Sequence, residues 1–599
     1  MLDTTLSDRV QAVLDDFGAA LAAGDAERAA AMFVADGHWR DLVAFTWNLK
    51  TCEGREEIAD MLRHQLPATK PTGWRLDPNE VPDEADGVVT AWITFETDVA
   101  RGYGLIRLRE DGIWTLLTTM AELKGHEEPK GFARPLGAKH GAAKNAESWK
   151  EAREREAAEL GRTRQPHTLI VGGGQGGIAL GARLRALGVP TIIVERNERP
   201  GDSWRNRYKS LCLHDPVWYD HLPYIKFPET WPVFAPKDKL GDWLEFYTKV
   251  MELNYWTRST CRSATYDEAK GEWTVVVDRD GDEITLKPKE LVLATGMSGK
   301  PNIPSFPGMA RFKGEQHHSS QHPGPDAYAG KKAVIVGSNN SAHDIAAALW
   351  ENDADVTMVQ RSSTHIVRSD TLMEIGLGAL YSEEAVRNGV TTEKADLIFA
   401  SIPYAILADF QIPLYEQMKE RDAEFYAGLE KAGFQLDWGD DGSGLFMKYL
   451  RLGSGYYIDV GASQLIIDGE VKLAHGQVKE IVEDGLILED GTKLGADLIV
   501  YATGYGSMNG WAADLIGQDV ADKVGKCWGL GSGTTKDPGP WVGEQRNMWK
   551  PTRQEGLWFH GGNLHQSRHY SQFLALQLKA RMEGIETPVY GVPETHHLG

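Results

Sequence analysis

Two glycine-rich turns stand out because each follows a short apolar run and opens a helix-like segment. The first covers residues 172–177, Gly-Gly-Gly-Gln-Gly-Gly, and the second covers residues 337–342, Gly-Ser-Asn-Asn-Ser-Ala. Gly172 permits a tight strand-to-helix turn, Gly174 lets the backbone approach a pyrophosphate, and Gly177 lets helix and strand pack closely. The helix N-terminus then offers free N–H groups and partial positive charge to a diphosphate. The pattern predicts cofactor-binding residues in both turns: Gly172, Gly174, Gln175 and Gly177, and Gly337, Ser338, Asn339, Asn340 and Ser341.

The two turns differ at the position that selects the nucleotide. Glu195 and Gln360 stand 23 residues after the first glycine of their turns, and Arg196 and Arg361 follow them. A carboxylate suits a free ribose 2′-hydroxyl and repels a 2′-phosphate. In contrast, Gln360 is uncharged, and Arg361 with Ser362 can embrace a 2′-phosphate. The chain is therefore predicted to hold two different nucleotides and to transfer electrons between them. NADPH is expected in the second turn, with NADH also accepted.

In the second turn, Asn339 replaces the usual middle glycine. Asparagine tolerates left-handed backbone conformations, so the turn remains feasible with this residue. Its polar neighbours Ser338 and Asn340 are expected to hydrogen-bond the cofactor.

Composition restricts the class of protein. The chain has 599 residues and a formal net charge of −22, which disfavours nucleic acid and anionic membranes as partners. It contains no apolar run long enough for a membrane span, and its first residues lack the features of a secretory signal. Four scattered cysteines fit a reducing cytoplasm and exclude both a Cys-x-x-Cys redox pair and a cysteine zinc site: Cys52, Cys212, Cys261 and Cys527.

The elements that must position these turns divide the chain into blocks. Residues 1–130 read as an α+β domain, with helices over 6–23 and 25–33 and strands over 88–95, 103–109 and 114–119. Residues 131–165 read as a linker with a helix. A first nucleotide-binding part is expected over 166–325 and 484–599. A second is expected over 326–483, interrupted at about 365–480 by helices such as 414–432. In each part, a later strand ends in Ala-Thr-Gly, at residues 294–296 and 502–504.

Further motifs carry a family resemblance. The segment 201–208, with Trp204, resembles the flavin-contacting element of flavin-dependent monooxygenases. The segment 312–323 resembles the fingerprint of flavin-containing and Baeyer–Villiger monooxygenases, with Phe312, Gly314, His318 and Pro323 matching and His322 in place of the usual aromatic residue. Short motifs at 22–25, 31–33 and 37–41 resemble the NTF2-like (SnoaL-like) fold. Together with the segment 561–570, which is similar to that subgroup's final segment, these motifs resemble the type II flavin-containing monooxygenases.

This resemblance implies an α/β protein with two Rossmann-like domains, for FAD and NAD(P)H, behind an NTF2-like domain. It implies FAD that is reduced by NADPH, forms a C4a-(hydro)peroxyflavin with O₂ and oxidises a small molecule. Baeyer–Villiger oxidation of ketones to esters or lactones and sulfoxidation are the expected reactions. His214 and Asp215 stand where relatives have a catalytic Asp or Asn. Arg568, and less so Arg207, is the expected cation near the flavin. Remaining cofactor contacts are expected from Glu195, Arg196, Trp204, Thr295, Thr503, Gly504 and His565.

Several alternatives remain open. The enzyme is alternatively an amine N-hydroxylase or an indole-3-pyruvate-type monooxygenase, or the chain is a flavin-binding sensor without turnover. The missing cysteine pair argues against a disulfide reductase. His214 and Asp215 equally fit a helix cap and turn, and His318 is expected to be a hinge residue between domains. A homodimer is expected. The N-terminal block is predicted to serve assembly and shielding, with His38, Trp39, Arg40 and Asp41 either packed or lining a cavity.

Overall fold

The N-terminal block combines helices with a curved mixed sheet. The computed structural model describes residues 5–138, 140–534 and 537–595. The expectation that the first residues carry no secretory signal concerns residues 1–4, which lie outside the described residues. The block's helices are α1 (Leu6–Ala22), α2 (Ala26–Ala31) and α3 (Gly54–Thr69). Its strands are β1 (Phe33–Leu42), β2 (Leu49–Glu53), β3 (Thr72–Leu76), β4 (Asp83–Ala85), β5 (Val88–Glu96), β6 (Ala100–Arg109) and β7 (Gly112–Leu123). The sheet order is β2-β1-β7-β6-β5-β3, with β4 on β5.

An aromatic cluster fills the space between α1 and this sheet. Trp39 is fully buried, and its ring centroid lies 5.6 Å from that of Phe17, 5.9 Å from that of Phe33 and 4.9 Å from that of Phe45. The second helix was predicted to run to residue 33, but it ends at Ala31 because Phe33 begins β1. Of the two alternatives for Trp39, packing is confirmed.

The linker contains α4 (Trp149–Glu159). Ser148 and Glu151 form a capping box at its start, in which the Ser148 side chain accepts a hydrogen bond from the Glu151 N–H. This pairing satisfies amide groups that a helix otherwise leaves free. The predicted helix in the linker is therefore confirmed.

The first nucleotide-binding part has a parallel sheet of order β10-β9-β8-β14-β25. Its early elements are β8 (Thr168–Val171), α5 (Gln175–Ala186), β9 (Thr191–Val194), α6 (Asp202–Arg205), α7 (Lys237–Val250) and β10 (Tyr255–Trp256). An antiparallel sheet of β11 (Ser259–Asp267), β12 (Glu272–Arg279) and β13 (Asp282–Leu286) precedes β14 (Glu290–Leu293). All four residues of β8, β9 and β14 are buried, as a sheet covered on both faces requires.

A second parallel sheet has the order β15-β24-β16-β17-β20. These strands and their helix are β15 (Glu315–His318), β16 (Lys332–Val336), α8 (Asn340–Trp350), β17 (Asp355–Gln360), β20 (Lys472–His475) and β24 (Leu498–Tyr501). The ranges 166–325 and 484–599, predicted for the first part, each contain one strand of this sheet. Because β24 pairs with both β15 and β16, the predicted boundaries at 325 and 483 are wrong for β15 and β24.

Helices dominate the predicted insertion. They are α9 (Ser369–Thr371), a π-helical segment (Leu372–Leu377), α10 (Glu383–Arg387), α11 (Thr392–Ala400), α12 (Tyr404–Arg421), α13 (Ala423–Lys431), α14 (Gly444–Leu452) and α15 (Ala462–Ile467). The strands β18 (His365–Arg368) and β19 (Tyr456–Asp459) pair with each other. The helix predicted over 414–432 is interrupted at Asp422, whose buried carboxylate accepts a hydrogen bond of 2.6 Å from Thr371 Oγ1. That contact fixes the corner between α12 and α13.

The last segments return the chain to the first part. They include the antiparallel strands β21 (Val478–Val482), β22 (Gly485–Leu488) and β23 (Lys493–Gly495), then α16 (Asn509–Leu515), α17 (Gln518–Val524), β25 (Leu557–Phe559) and α18 (Leu564–Met582). Helix α18 is almost entirely buried and packs on α5. No single helix of the described ranges has the length and hydropathy of a membrane span; α11 and α12 meet the criterion only together, with a bend of 109°.

Candidate active site

The first glycine turn has the close contacts that its sequence predicts. Gly172 has φ +108°, and a Cβ atom there would lie 2.3 Å from Ala294 O. A Cβ on Gly177 would lie 2.0 Å from Gly172 O. Gly174 is different, because the nearest atom to a Cβ there is Ser203 Oγ at 3.7 Å. Two glycines are thus required by the protein's own packing, while Gly174 leaves room for an external group.

Buried polar atoms without partners surround this turn. Trp204 Nε1 donates to Gln175 Oε1 at 3.2 Å, and Gln175 Nε2 donates to Gly562 O at 3.3 Å. Thr295 Oγ1, both ring nitrogens of His560 and Ser567 Oγ are buried with no partner in the described chain. Burial lowers the pKa of His560 to about 3, so its ring is neutral. Unpaired buried groups are costly, and these are placed to be satisfied by a polar ligand.

Glu195 is held in place by backbone amides. Its Oε2 accepts from Gly173 N at 2.8 Å and its Oε1 from Asn197 N at 2.9 Å. A carboxylate has about four lone-pair positions, so two acceptors remain for a ribose. Tyr255 supports the same turn by donating its hydroxyl to Gly173 O at 2.7 Å. Arg196 is exposed beside this position.

The second turn departs from expectation at two residues. Gly337 takes the positive φ of +129°, so Asn339, the N-cap of α8, is extended at φ −97° and is not left-handed. Asn340 Oδ1 accepts from Ile458 N at 3.0 Å, which ties α8 to β19. Asn340 Oδ1 is therefore engaged within the protein, and the expected contact of this side chain with the cofactor stays a prediction. Ser338 Oγ lies 2.7 Å from Thr364 Oγ1, and Ser341 is half-buried.

Gln360 is uncharged but not free. It is fully buried, and its amide donates to Gln435 O at 3.0 Å and accepts from Gln435 N at 2.9 Å. Direct recognition of a nucleotide by this side chain is therefore not what the structure shows. Arg361 and Ser362 are exposed next to it, and Arg361 forms no ion pair with any described residue. The cation beside the specificity position is Arg361, which follows Gln360.

His318, the predicted hinge residue, lies in the segment between the two parts. Its Nε2 lies 3.0 Å from Gly504 O, and its Nδ1 accepts from Ser320 N at 3.1 Å. Thr503 Oγ1 donates to Asn302 O at 2.6 Å. Since both ring nitrogens of His318 are engaged, the residue fastens β15 to the turn after β24. His322, at the usual aromatic position, stacks on Tyr328 with centroids 5.9 Å apart.

His214 and Asp215 lie at the seam between the two parts. His214 Nε2 is 3.2 Å from Asp344 Oδ2 on α8, and its Nδ1 is buried without a partner. Burial opposes protonation, but Asp344 outweighs it and raises the pKa of His214. Asp215 forms no hydrogen bond or ion pair in the described ranges, and burial raises its pKa to about 6 while His214 acts in the opposite direction. The pair can hold and release a proton near neutral pH.

Arg568, the expected cation near the flavin, is bound on all sides by groups of the protein. Its Nε and Nη2 donate to Asp396 at 2.8 and 2.7 Å, and its Nη1 donates to Tyr219 O and His221 O at 2.7 and 2.6 Å. Its charge is therefore balanced by Asp396, whose pKa stays well below its usual range because Arg568 outweighs burial. His565 lies 3.3 Å from the same carboxylate and stacks on Tyr219. Burial lowers the pKa of His565.

Sequence reasoning missed the acids that orient these residues. Asp344 also accepts a hydrogen bond of 2.7 Å from Tyr208 OH, and Asp396 accepts one of 2.9 Å from Tyr381 OH. Each acid is distant in sequence from its partners. The one sequence feature that could have indicated such an acid is the position of Asp344 in the helix after the second turn.

The structure thus contains two α/β parts, each with a parallel sheet and a glycine-rich turn, and the seam between them holds His214, Asp215 and Asp344. A family model described as pyridine nucleotide-disulphide oxidoreductase matches residues 169–403. An indole-3-pyruvate monooxygenase of Oryza sativa subsp. japonica is 31% identical over 373 residues, covering 61% of this chain and 84% of the relative. A probable indole-3-pyruvate monooxygenase of Arabidopsis thaliana is 28% identical, covering 58% and 83%.

Among solved structures, a cyclohexanone monooxygenase from Rhodococcus sp. Phi1 bound to NADP+ is 17% identical, covers 70% of this chain and 84% of its own, and has a TM-score of 0.49. A flavin-containing monooxygenase from Stenotrophomonas maltophilia is 17% identical, covers 70% of this chain and 99% of its own, and has a TM-score of 0.46. The chain belongs to the flavin-dependent monooxygenases, an enzyme family that uses FAD and NADPH.

Proposed function

We propose that this enzyme holds FAD in its first part and NADPH, or less specifically NADH, in its second, and inserts one oxygen atom into a neutral ketone. The single observation that carries the cofactor assignment is the contrast between Glu195 and the uncharged Gln360 at equivalent positions after the two turns, each followed by an exposed arginine. Glu195 keeps two free acceptor positions for a ribose, whereas Arg361 offers an exposed guanidinium to a 2′-phosphate.

The residues around the first turn fit FAD. The space beside Gly174 and the free amides at the start of α5 suit a diphosphate. The unpartnered Thr295 and His560 offer polar atoms around the same turn, and Trp204 is fixed by Gln175. When bound, FAD accepts a hydride from NADPH and passes the electrons to O₂. The four cysteines are free, so the described chain supplies no disulfide for an alternative electron path.

The seam residues would then control the proton. His214 is oriented by Asp344, and Asp215 has a carboxyl group with no partner in the described chain. These two groups hold and move a proton at His214 Nδ1 and at the Asp215 carboxyl. The buried residues 219–221 and 564–570 around them exclude water, which strengthens each electrostatic contact.

Charge at the seam favours an uncharged substrate. The Arg568 guanidinium is neutralised by Asp396, whereas the Asp215 carboxylate is uncompensated apart from His214. An anionic substrate would meet repulsion there. Neutral ketones, oxidised to esters or lactones, are therefore the proposed substrates, with sulfides as further oxygen acceptors.

A second candidate substrate is a 2-oxo acid. It is suggested by the relative that is 31% identical to this chain and is named for its action on indole-3-pyruvate. Its carboxylate needs a cation, and Arg207 is available because its buried Nε has no partner in the described chain. A 2-oxo acid also presents a ketone carbonyl, so the two candidates differ mainly in charge.

Product analysis by mass spectrometry separates the two candidates. A panel of neutral ketones, sulfides, amines and 2-oxo acids is incubated with the enzyme, NADPH and O₂. We expect esters or lactones from ketones, and Arg207→Met should alter kcat/KM for ketones no more than the control Lys209→Met at an exposed neighbouring position. Oxygenation of 2-oxo acids alone, abolished by Arg207→Met, would show that the second candidate is correct.

We also propose that residues 1–130 form an NTF2-like (SnoaL-like) domain joined by the linker 131–165, and that the chain works as a cytoplasmic homodimer. The helices-then-sheet order of the block and the free cysteines support these points. Analytical ultracentrifugation of the full chain tests the dimer, and a sedimentation mass of one chain, 66.3 kDa, would contradict it.

A further inference from the structure

Two arginines of the N-terminal block reach the C-terminal end of α11 in the insertion. Arg40 on β1 donates from Nη1 to Ala400 O at 2.8 Å. Arg107 on β6 donates to Ser401 O at 3.1 Å and to Ser401 Oγ at 2.8 Å. Ala400 is the last residue of α11, and Ser401 is its C-cap. Because a helix C-terminus leaves carbonyl groups unpaired and carries partial negative charge, two guanidinium groups stabilise this end.

Arg40 is fixed on its other side by the C-terminal part of the chain. It is 1% exposed and forms a two-bond ion pair with Glu544 at 2.7 and 2.8 Å. Its Nη2 also lies 3.1 Å from Tyr570 OH on α18. Thr51 of the N-terminal block donates to the same Glu544 carboxylate at 2.8 Å. One buried cation therefore joins the N-terminal block, α11 and α18.

Helix α11 carries the acid that organises the seam. Asp396 lies one turn before Ala400 and binds Arg568 through both carboxylate oxygens. Arg568 in turn holds the backbone carbonyls of Tyr219 and His221, a few residues after His214 and Asp215. A shift at the end of α11 would therefore move Asp396, and with it the groups that Asp396 orients.

Arg107 has no carboxylate partner in the described ranges. It is half-buried, and its acceptors are Ser401 O, Ser401 Oγ and Thr115 Oγ1 at 3.3 Å. Burial lowers its pKa to about 10. A half-buried cation is costly unless negative charge faces it, and here that charge comes from the helix end. The N-terminal block thus carries a cation whose favourable partner belongs to another part of the chain.

We propose that Arg40 and Arg107 are positioning residues for the flavin site. By holding the C-terminal end of α11 they fix Asp396, and through Asp396 they fix Arg568 and His565 on α18. The N-terminal block is then a working part of the oxygenation site, although it does not contact the reacting atoms. This inference rests on the proposed monooxygenase function.

Hydrogen exchange followed by mass spectrometry on the full-length, FAD-loaded enzyme tests the link. Arg107→Met is chosen because Arg40→Met would leave Glu544 buried and unpaired and threaten folding. Arg101→Met is the matched control, since Arg101 lies on the same strand but is 46% exposed. We expect exchange in peptides of α11 and of the start of α18 to rise about tenfold or more in Arg107→Met, as loss of a charge-assisted hydrogen bond implies.

Strands β1–β7 should keep their wild-type exchange in Arg107→Met, and Arg107→Lys should restore part of the protection because an ammonium group still donates to a carbonyl. The fraction of consumed NADPH that yields product should fall in Arg107→Met and recover partly in Arg107→Lys. Unchanged exchange in α11, or an equal effect of Arg101→Met, would overturn the inference. Exchange does not depend on turnover, so a wild-type enzyme that oxygenates nothing would refute the proposed function without removing this link.

Discussion

Replacing Gly174 by alanine separates the cofactor role of the first turn from its packing role. In the protein alone, the new Cβ atom would have Ser203 Oγ as its nearest neighbour at 3.7 Å, an ordinary contact. The backbone at Gly174, with φ −74° and ψ −170°, suits any residue. We therefore expect the FAD-free variant to unfold no more easily than the wild type. A gain of about 0.4–1 kcal/mol is expected, because alanine restricts the unfolded chain.

Binding of FAD should respond differently. The added methyl group occupies the space through which the pyrophosphate approaches the backbone. Overpacking of this kind costs about 1–3 kcal/mol, which corresponds to a Kd for FAD weakened about 5-fold to 150-fold. The variant is expected to be a stable protein that loses its flavin.

Gly177→Ala is the matched control for packing. Its Cβ would lie 2.0 Å from Gly172 O, a backbone atom that cannot move aside cheaply. The FAD-free form of this variant should therefore be destabilised by about 1–3 kcal/mol or more. Both variants add one methyl group to the same turn, so only the direction in which it points differs.

Urea unfolding of the FAD-free proteins and fluorescence titration with FAD measure the two effects separately. The expected result is normal stability with weak FAD binding for Gly174→Ala and reduced stability for Gly177→Ala. The reasoning fails if Gly174→Ala binds FAD as tightly as the wild type. It also fails if Gly174→Ala unfolds as readily as Gly177→Ala.

Three further predictions concern single charges. Arg361→Ser should raise KM for NADPH about tenfold, the value of one good ionic contact, and leave KM for NADH unchanged; equal effects on both in steady-state assays would contradict the assignment. Asp344→Asn should lower the pKa of His214. A histidine whose pKa is higher in the folded protein than in the unfolded chain stabilises the fold at pH values below the unfolded pKa of about 6.5. This stabilisation is lost as the pH rises through the folded pKa. The stability deficit of Asp344→Asn in urea should thus be larger at low pH than at high pH, and a pH-independent deficit would refute it. Asp396→Asn should cost about 3–5 kcal/mol, because it strands the buried Arg568 charge; a loss below about 1 kcal/mol, as for exposed pairs, would show that the charge is otherwise balanced.

Local sequence was sufficient for the two nucleotide turns. Gly172 and Gly337 adopt the positive φ values that a strand-to-helix turn demands, and β14 and β24 each run into the predicted Ala-Thr-Gly segment. These features depend on residues that are neighbours along the chain, so spacing alone determines them. The same holds for Glu195, which the length of one βαβ unit places beside its glycine turn.

Partners distant in sequence could not be predicted. Gln360 is tied to Gln435 and Asn340 to Ile458, and neither pairing has a periodic pattern. Likewise, the segment 37–41 gave no sign that Arg40 would bind Glu544, 504 residues away. These contacts follow from how separate elements pack, which spacing along the chain does not encode.

The amino-acid sequence by itself determined that there are two glycine-rich turns, that one is followed by an acid and the other by an uncharged glutamine at the specificity position, and that the four cysteines form no Cys-x-x-Cys pair. Those properties are set by residue type and short-range spacing. Only the tertiary structure decided which charges stay free. Arg568 is neutralised by Asp396, whereas Arg361 forms no ion pair in the described chain and Asp215 has only His214 acting on its charge. The physical reason is that a buried charge takes its role from whichever group folding brings against it.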